Sequence, residues 1–251
     1  MIHVERDCPR AGCWRLVLDD PANANALSPT LVARLDEAIR GALAGDAHAI
    51  AFHSSSARFC AGFALRDADD VSDAELRSRF EALEALLESV RRAPALTIAA
   101  VRGAALGAGG DLVAACDYRI GTSAARFAFP GSRFGVVLGT RHLAALLGRQ
   151  AALEILVEGR TIDAHAALRC GLLSELCDED GVSARIEAIV ERCETIDAET
   201  LRAMLRLLRD APSARDRDEL VASVSRNGFA GRVREHARRI REARERRRAQ
   251  A

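Results

Sequence analysis

The sequence predicts an α/β fold, in which helices cover a largely parallel sheet. Strand-like and helical segments alternate along the first two thirds of the 251-residue chain. Residues 95–101 form a short run without charges, bounded by Pro94 and Gly103, which is typical of a parallel strand buried on both faces. Hydrophobic residues make up 49% of the chain and charged residues 29%, as in globular proteins. The length allows one large domain or one domain with an appendage.

The first predicted elements are two strands at residues 2–7 and 14–18, joined by a turn at Pro9–Gly12. Ser28 and Pro29 then mark the start of a helix. A serine hydroxyl accepts from N–H groups that the first helical turn leaves unpaired, and proline suits the first helical position. Apolar residues at helical spacing follow and support this helix.

The middle of the chain continues the alternation. A strand is predicted at 49–54, a long amphipathic helix at 72–92 and a further helix from Asp111. The segments YRIGT and RFAF then predict two short strands. Residues 140–168 have a helical pattern that glycine interrupts twice.

The C-terminal part is predominantly helical. Residues 171–176 predict a last short strand, and helices follow from Ser183. The Arg-rich stretch 232–248 has glutamates four positions from arginines, which favours a solvated helix over a nucleic-acid arm. We divide the chain into a core at residues 1–195 and a C-terminal helical subdomain at residues 196–251.

Composition excludes several classes of function. All 36 basic residues are arginine, so neither a lysine Schiff base nor a P-loop lysine is available. The net charge of zero and the 4% aromatic content argue against a nucleic-acid partner. No apolar run approaches the roughly 20 residues of a membrane span, and the N-terminal segment is too charged for a signal peptide. Seven cysteines without a CxxC pair predict a cytoplasmic protein with no disulfides and no metal site.

Two glycine-containing segments follow strands, Phe59–Leu65 and Gly103–Leu112. Neither matches the dinucleotide-binding pattern GxGxxG, and the chain has no GxSxG of a nucleophile-elbow hydrolase. Glycines before a helix leave N–H groups bare, and such groups stabilise a developing oxyanion. Alternatively, the glycines only let a helix pack closely against a sheet. Spacing alone leaves both interpretations open.

Five segments occur in the order found in one known family. They are NANALS at 23–28, FCAGFAL at 59–65, AVRGAALGAGGDLVAACDYRI at 100–120, FAFPGSRFGV at 127–136 and LVEGRTIDAHAALRCGLLSEL at 156–176. Together they resemble the crotonase family, the enoyl-CoA hydratase/isomerase superfamily. The resemblance covers nearly the whole chain and implies a ββα spiral core that binds an acyl-CoA thioester.

The resemblance also implies roles for individual residues. The backbone N–H groups of Phe63 and Ala108 would form the oxyanion hole for the thioester carbonyl. The residues that would contact the substrate, including its coenzyme A part, are Ala24, Cys60, Ala61, Gly62, Ala64, Arg66 and Gly107. No cofactor is expected, because coenzyme A belongs to the substrate. The chain is expected to form a homotrimer or a dimer of trimers, with the C-terminal subdomain serving oligomerisation and covering the pocket.

The chain departs from the family pattern at the catalytic carboxylates. Hydratases of the family use two glutamates, and here these positions are Asp111 and Gly131. The loop at 135–143 is also shorter than usual by about three residues. Asp111 is interpreted either as a single acid/base or as a first-turn acid that complements the helix dipole. We therefore expect a poor classical hydratase.

Further side chains are candidates for a place in or near the pocket. His142 and Arg133 are placed near it by alignment, and Asp69, Asp70 and Glu75 follow the first oxyanion segment. The main functional expectation is an enzyme that stabilises an acyl-CoA enolate. The alternatives are a decarboxylase or thioesterase of the same fold, or a non-catalytic acyl-CoA-binding paralogue.

Overall fold

The structure, a computed structural model, describes residues 2–5, 12–209 and 214–249. Of the turn predicted at Pro9–Gly12, only Gly12 lies within these ranges. The strands of the described chain are β1 (Ile2–Glu5), β2 (Cys13–Leu18), β3 (Ala49–Ser54), β4 (Leu96–Val101), β5 (Ala104–Leu106), β6 (Tyr118–Gly121), β7 (Arg126–Ala128), β8 (Ile162–Asp163) and β9 (Glu175–Leu176). Its helices are α1 (Pro29–Ala44), α2 (Asp73–Arg92), α3 (Ala108–Ala114), α4 (Thr140–Leu147), α5 (Arg149–Glu158), α6 (Ala164–Arg169), α7 (Val182–Glu194), α8 (Ala198–Leu208), α9 (Ala214–Val224) and α10 (Phe229–Ala249).

The main sheet has six strands in the order β1-β2-β3-β4-β6-β9. All its pairs are parallel except β1 with β2. Every residue of β4 is buried, which confirms the prediction for this uncharged segment. Ile50 and Phe52 of β3 join one hydrophobic cluster with α1 and α2, whereas Ala49 and Ala51 join a second cluster with α7. Alternation along the strand thus places helices on both faces, and the predicted α/β class is confirmed.

A second, three-stranded sheet was not predicted. Its order is β5-β7-β8, with β5 parallel to β7 and β7 antiparallel to β8. β5 lies in the segment interpreted as a glycine-rich loop, and β8 interrupts the stretch interpreted as helical. Both strands have three residues or fewer, so no alternating pattern can form. They exist because of long-range pairing, such as that of Ala105 with Phe127.

The two helices that lead to the site begin at the predicted positions, each after a serine cap. The Ser28 hydroxyl accepts from the Leu31 N–H at 3.2 Å and starts α1. The Ser72 hydroxyl accepts from the Glu75 N–H at 3.1 Å and starts α2. Each bond satisfies one donor that the first turn would otherwise leave unpaired.

The C-terminal helices pack into the same two hydrophobic clusters as the preceding strands and helices. Leu201 and Leu205 of α8 belong to the cluster beneath α7. Leu220 of α9 and Phe229 and Val233 of α10 belong to the larger cluster on the opposite face of the sheet. The proposed boundary between residues 195 and 196 stays a prediction, and hydrophobic contacts cross it on both faces.

The helices of the described ranges lack the length and apolar content needed to span a bilayer. Within the same ranges, His, Cys, Asp and Glu side chains form no group of three that could hold a metal ion.

Candidate active site

The segment 60–64 is attached by its backbone to β5. The Cys60 N–H donates to the Ala104 carbonyl at 3.0 Å, and the Leu106 N–H donates to the Cys60 carbonyl at 2.9 Å. Gly62 has φ +87°, and a methyl group there would lie 3.4 Å from the Ala108 nitrogen and closer still to the Leu106 carbonyl oxygen. Only glycine fits this conformation and this approach. The segment is therefore held directly beside the start of α3.

Two backbone N–H groups at this junction have no hydrogen-bond acceptor within the described residues. The Leu27 N–H donates to the Gly62 carbonyl and the Ala64 N–H to the Leu27 carbonyl, which leaves the intervening Phe63 N–H outside this pairing. Ala108 is the first residue of α3, where no preceding helical carbonyl is available. The junction thus offers two preformed donors to a ligand acceptor.

The glycines of α3 have a packing role. A methyl group on Gly109 would lie 2.7 Å from the Cys60 Cβ, and one on Gly110 would lie 2.9 Å from the Phe129 ring. Real Cβ contacts are longer than this, so both positions require glycine for close helix packing. The two interpretations of the glycine-rich segment therefore apply to different residues. Close packing explains the glycines at positions 109 and 110, whereas the unpaired N–H group belongs to Ala108.

A cavity of about 320 Å³, here named the apolar cavity, opens beside these two N–H groups. Most of its lining residues are apolar. They include Phe63, Leu65, Phe80, Leu106, Ala108, Phe129, Phe134, Val136, Leu138, Leu156 and Ile240. Asp111 and His236 are the ionisable residues among those that line it in the described chain. Gly131 also lies on its wall and contributes no side chain.

Asp111 is buried, with 6% of its surface exposed. A methyl group on Gly139, which has φ +63°, would lie 2.6 Å from the Asp111 carboxyl carbon, so the start of α4 packs directly on this carboxyl group. No donor within the described residues hydrogen-bonds to its oxygens. Burial, and to a smaller extent the nearby Glu84 carboxylate, raises the pKa of Asp111 well above its ordinary value. The site therefore favours the protonated acid.

Three aromatic rings connect this site to the C-terminal helix. The Phe63 ring stacks on Phe80 of α2, with centroids 4.2 Å apart and planes 10° apart. Phe229 at the start of α10 meets the Phe80 ring edge-on, with centroids 5.6 Å apart. Packing of this kind fixes the ring of the residue whose N–H faces the cavity.

Helix α10 supplies residues that sequence reasoning missed. His236 and Ile240 both line the apolar cavity. The His236 ring packs on Phe134, with centroids 4.5 Å apart. His236 lies 125 positions after Asp111 within an Arg-rich stretch. No local pattern marks it, because only the docking of α10 brings it to the pocket.

The residues predicted to contact coenzyme A lie around the 60–64 segment. The Ala24 carbonyl accepts from the Ala61 N–H at 3.0 Å. Cys60 is fully buried, and burial raises the pKa of its thiol to about 12, so it is not a nucleophile. Arg66 is exposed. Gly107 caps α3 and, with Ala61 and Gly62, lines the apolar cavity.

His142 lies at a different cavity. This larger space, about 640 Å³, is here named the arginine cavity because five arginines line it within the described chain: Arg91, Arg119, Arg185, Arg192 and Arg209. The His142 Nε2 lies 2.7 Å from the Arg91 Nη1. Arg133, the other residue placed near the pocket by alignment, is exposed and donates to the Glu158 carbonyl at 2.8 Å.

The remaining acidic candidates lie outside the lining of the apolar cavity. Asp69 pairs with Arg241 of α10 at 2.6 Å, and Asp70 is exposed. Glu75 pairs with Arg79 at 2.9 Å on the surface of α2. The structure thus brings Phe63, Ala108 and Asp111 together and keeps these acids apart from them.

Comparison with known proteins identifies the family. Residues 10–230 match the family model for enoyl-CoA hydratase/isomerase. An enoyl-CoA hydratase domain-containing protein 3, mitochondrial, from Danio rerio is 31% identical over 74% of this chain and 66% of its own length. The enoyl-CoA isomerase/hydratase fer4 from Mycosarcoma maydis is 29% identical over 66% of this chain and 65% of its own length. The chain thus spans just under two thirds of the length of these relatives.

A solved structure extends the likeness to nearly the whole chain. A Bordetella parapertussis protein of the enoyl-CoA hydratase/isomerase type superposes with a TM-score of 0.90 and 34% identity, covering 94% of this chain and 97% of that one. Sequence and fold agree, and the chain belongs to the enoyl-CoA hydratase/isomerase family of the crotonase superfamily.

Proposed function

We propose that this protein catalyses proton transfer on the acyl chain of an acyl-CoA thioester, through an enolate bound by the N–H groups of Phe63 and Ala108. The observation that supports this most directly is the position of Asp111. Asp111 is buried and lines the same apolar cavity as Phe63 and Ala108. An oxyanion binder and an acid/base in one water-poor space are the two parts that such a reaction needs.

The N–H groups would act on the thioester carbonyl. Negative charge grows on this oxygen when a proton leaves the adjacent carbon. Two preorganised donors in a low-dielectric site stabilise that charge without reorganising, which is the larger part of catalysis in many enzymes. Because both donors belong to the main chain, they do not depend on which side chain stands at these positions.

Isomerisation of a double bond is the reaction that we favour. Hydration requires one group to activate water and another to protonate the substrate, and the family does this with two glutamates. Here Gly131 has no side chain that could act as the second catalytic carboxylate. Among the cavity-lining residues of the described chain, the one carboxylate is that of Asp111. An isomerase moves a proton between two carbons of an enolate and does not need an activated water.

The cavity also suggests the kind of acyl group. Among its lining residues in the described ranges there is no arginine to pair with a substrate carboxylate. An acyl chain with a free carboxylate would lie near Asp111 without a counter-ion, which is costly in an apolar space. We therefore place an uncharged, apolar enoyl chain in the cavity.

Coenzyme A would lie along the 60–64 backbone. Its adenine would meet Ala24 and residues 60–64, and exposed Arg66 would face its phosphates, since arginine is suited to phosphate recognition. No further cofactor is proposed.

We also propose a homotrimer or a dimer of trimers, supported by Leu207 and Leu208 of α8, which are 87% and 77% exposed. A cytoplasmic location stays a prediction.

The test is turnover of an acyl-CoA panel, followed by mass spectrometry and ultraviolet absorbance. The panel contains 3-enoyl, 2-enoyl, hydroxyacyl and malonyl-type thioesters. We expect 3-enoyl thioesters to isomerise faster than crotonyl-CoA is hydrated. Faster hydration would make the protein a hydratase, and turnover of malonyl-type thioesters alone would make it a decarboxylase. Binding of acyl-CoA without any turnover would contradict catalysis and indicate a binding paralogue.

A further inference from the structure

We propose that His236 of α10 is a second catalytic residue, which removes a proton from the acyl chain while Asp111 returns one at another carbon. This inference rests on the proposed function and extends it from one proton-transfer group to two. The two residues come from distant parts of the chain and line the same apolar cavity.

The position of His236 is defined by its place in the cavity lining and by one ring contact. Its ring packs on Phe134, with centroids 4.5 Å apart and planes 30° apart. Phe134 ends the short turn Pro130–Phe134, which also carries Gly131. The imidazole therefore lies against the turn from which the second glutamate of the family pattern is missing.

The helix that carries His236 is anchored beside the pocket. Arg234 donates to the carbonyls of Ala68 and Val71, at 3.0 and 2.9 Å, and pairs with Asp73 at 2.9 Å. These bonds attach α10 to the segment before α2. A side chain held this way can be presented to a substrate without a large entropic cost.

The charges around His236 favour a neutral ring. Burial, followed by the positive charges of Arg239 and Arg133, lowers the pKa of His236. Arg232 of the same helix donates to the Phe134 carbonyl and adds a further positive charge nearby. Across the cavity, burial favours the protonated form of Asp111. The pair therefore consists of a neutral base and a neutral acid, which is the combination that proton abstraction and return require.

The step balances without any other reactant. The imidazole of His236 takes the α proton of a 3-enoyl thioester, and the electron pair of that C–H bond moves into the carbonyl to form the dienolate. Asp111 then gives its proton to the γ carbon, which forms a new C–H bond, shifts the double bond and restores the carbonyl. The imidazolium proton returns to the Asp111 carboxylate through water, and the site is reset.

The first experiment is isomerisation in D₂O by the wild-type protein. With two groups, the added hydrogen comes from Asp111 after exchange with solvent, so the initial product carries close to one deuterium at the γ carbon. A single shuttling group would return part of the original protium to the product. Substantial protium transfer by the wild-type protein would overturn the proposal.

The second experiment compares His236→Gln with His165→Gln. His165 is an exposed residue of α6, so its replacement makes the same chemical change away from the cavity. We expect His236→Gln to lose about 10²–10⁴-fold in kcat, with KM changed far less. Its residual product in D₂O should retain more protium, and added imidazole should restore part of kcat. His165→Gln should match the wild-type protein.

The pH profile separates a catalytic role from a structural one. Activity that requires a neutral imidazole rises with pH through the pKa of His236. His236→Gln should lose this rising limb, whereas a variant with only a structural defect would keep it. Wild-type kcat and an unchanged profile in His236→Gln, together with loss of activity in Asp111→Asn, would overturn the role of His236 and leave the proposed function standing.

If His236→Gln does not fold, nuclear magnetic resonance of the wild-type histidines decides. The titration of His236 should change when an acyl-CoA binds and should not change with free coenzyme A. Equal responses to both ligands would place the ring away from the acyl group and overturn the proposal. A wild-type protein that turns over no thioester would overturn both this proposal and the proposed function.

Discussion

The apolar cavity and the arginine cavity differ in how their charged groups are used. In the arginine cavity, Arg209 pairs with Asp117 at 2.9 Å and donates to the Ala95 carbonyl at 3.0 Å. Arg119 donates to three carbonyls, and Arg185 pairs with Glu175. In the apolar cavity, the Asp111 carboxyl group has no hydrogen-bond donor within the described residues. The charged groups of the arginine cavity thus stabilise the fold through ion pairs and hydrogen bonds. The apolar cavity instead contains a carboxyl group without such partners.

The largest expected effect comes from replacing one aspartate in each cavity. Asp111→Asn should lower kcat by about 10²–10⁴-fold with little change in ligand affinity, because it removes only the ionisable group. Asp117→Asn should keep wild-type kcat but lower the free energy of unfolding by up to about 3 kcal/mol, since it leaves Arg209 without its carboxylate. Steady-state kinetics and chemical denaturation measure both. Equal kcat values for the two variants would contradict the assignment of a catalytic role to Asp111 and a structural role to Asp117.

The next effect tests the packing of α4 on Asp111. Gly139→Ala should lower kcat by about 10–100-fold, because the new methyl group would displace the carboxyl group and a shift of about 1 Å is enough for such a loss. Gly171→Ala is the control. Gly171 also has a positive φ, +83°, but its nearest neighbour would be the Leu146 carbonyl oxygen at 3.9 Å.

Both alanine variants should lose about 1–2 kcal/mol of stability from the strained backbone. Only Gly139→Ala should lose activity as well. A similar loss of kcat in Gly171→Ala would mean that the defect is general and that Asp111 is not positioned through Gly139.

A smaller effect should follow from adding a carboxylate to the apolar cavity. Gly131→Glu places one on the cavity wall, and its Cβ would lie 3.4 Å from the nearest atom, the Val136 carbonyl oxygen. We expect crotonyl-CoA hydration to rise by about 10-fold, because a second carboxylate becomes available to activate water. Gly41→Glu adds the same charge on exposed α1, where the space is open, and should not change hydration.

The smallest effect is a pH dependence of stability. Since the folded pKa of Asp111 is raised, both states hold the proton below about pH 4, near the value for an unfolded aspartate. Above it the unfolded chain releases the proton first, so stability is lost until the pH passes the folded pKa. Asn cannot ionise, so the Tm of Asp111→Asn relative to wild type should increase between pH 4 and 8. A difference in Tm that stays constant across this pH range would contradict the raised pKa of Asp111.

Periodic and capped segments could be predicted from the sequence. The cap at Ser28, the amphipathic pattern of residues 72–92 and the uncharged run that forms β4 depend on neighbours within a few residues. The structure has these elements where they were expected. The pairing of Phe63 and Ala108 was expected from the family resemblance alone, because main-chain N–H groups depend on no particular side chain.

Features that depend on distant contacts could not be predicted. β5 has three residues and exists through its pairing with β7 and its contact with Cys60. His236 has no local signature, and its role depends on where α10 docks. The same reason explains His142, which the family resemblance placed near the pocket but which lines the arginine cavity in the structure.

The stack of Phe63, Phe80 and Phe229 has a consequence for the order of events on the ribosome. Residues 2–209 are synthesised before α10, and folding begins with the earlier part. Until Phe229 arrives, Phe80 lacks its edge contact and the apolar cavity lacks the wall formed by α10. The nascent chain can therefore form its sheet before the proposed acyl-binding site is complete, and that site is completed only when α10 has been synthesised and docked.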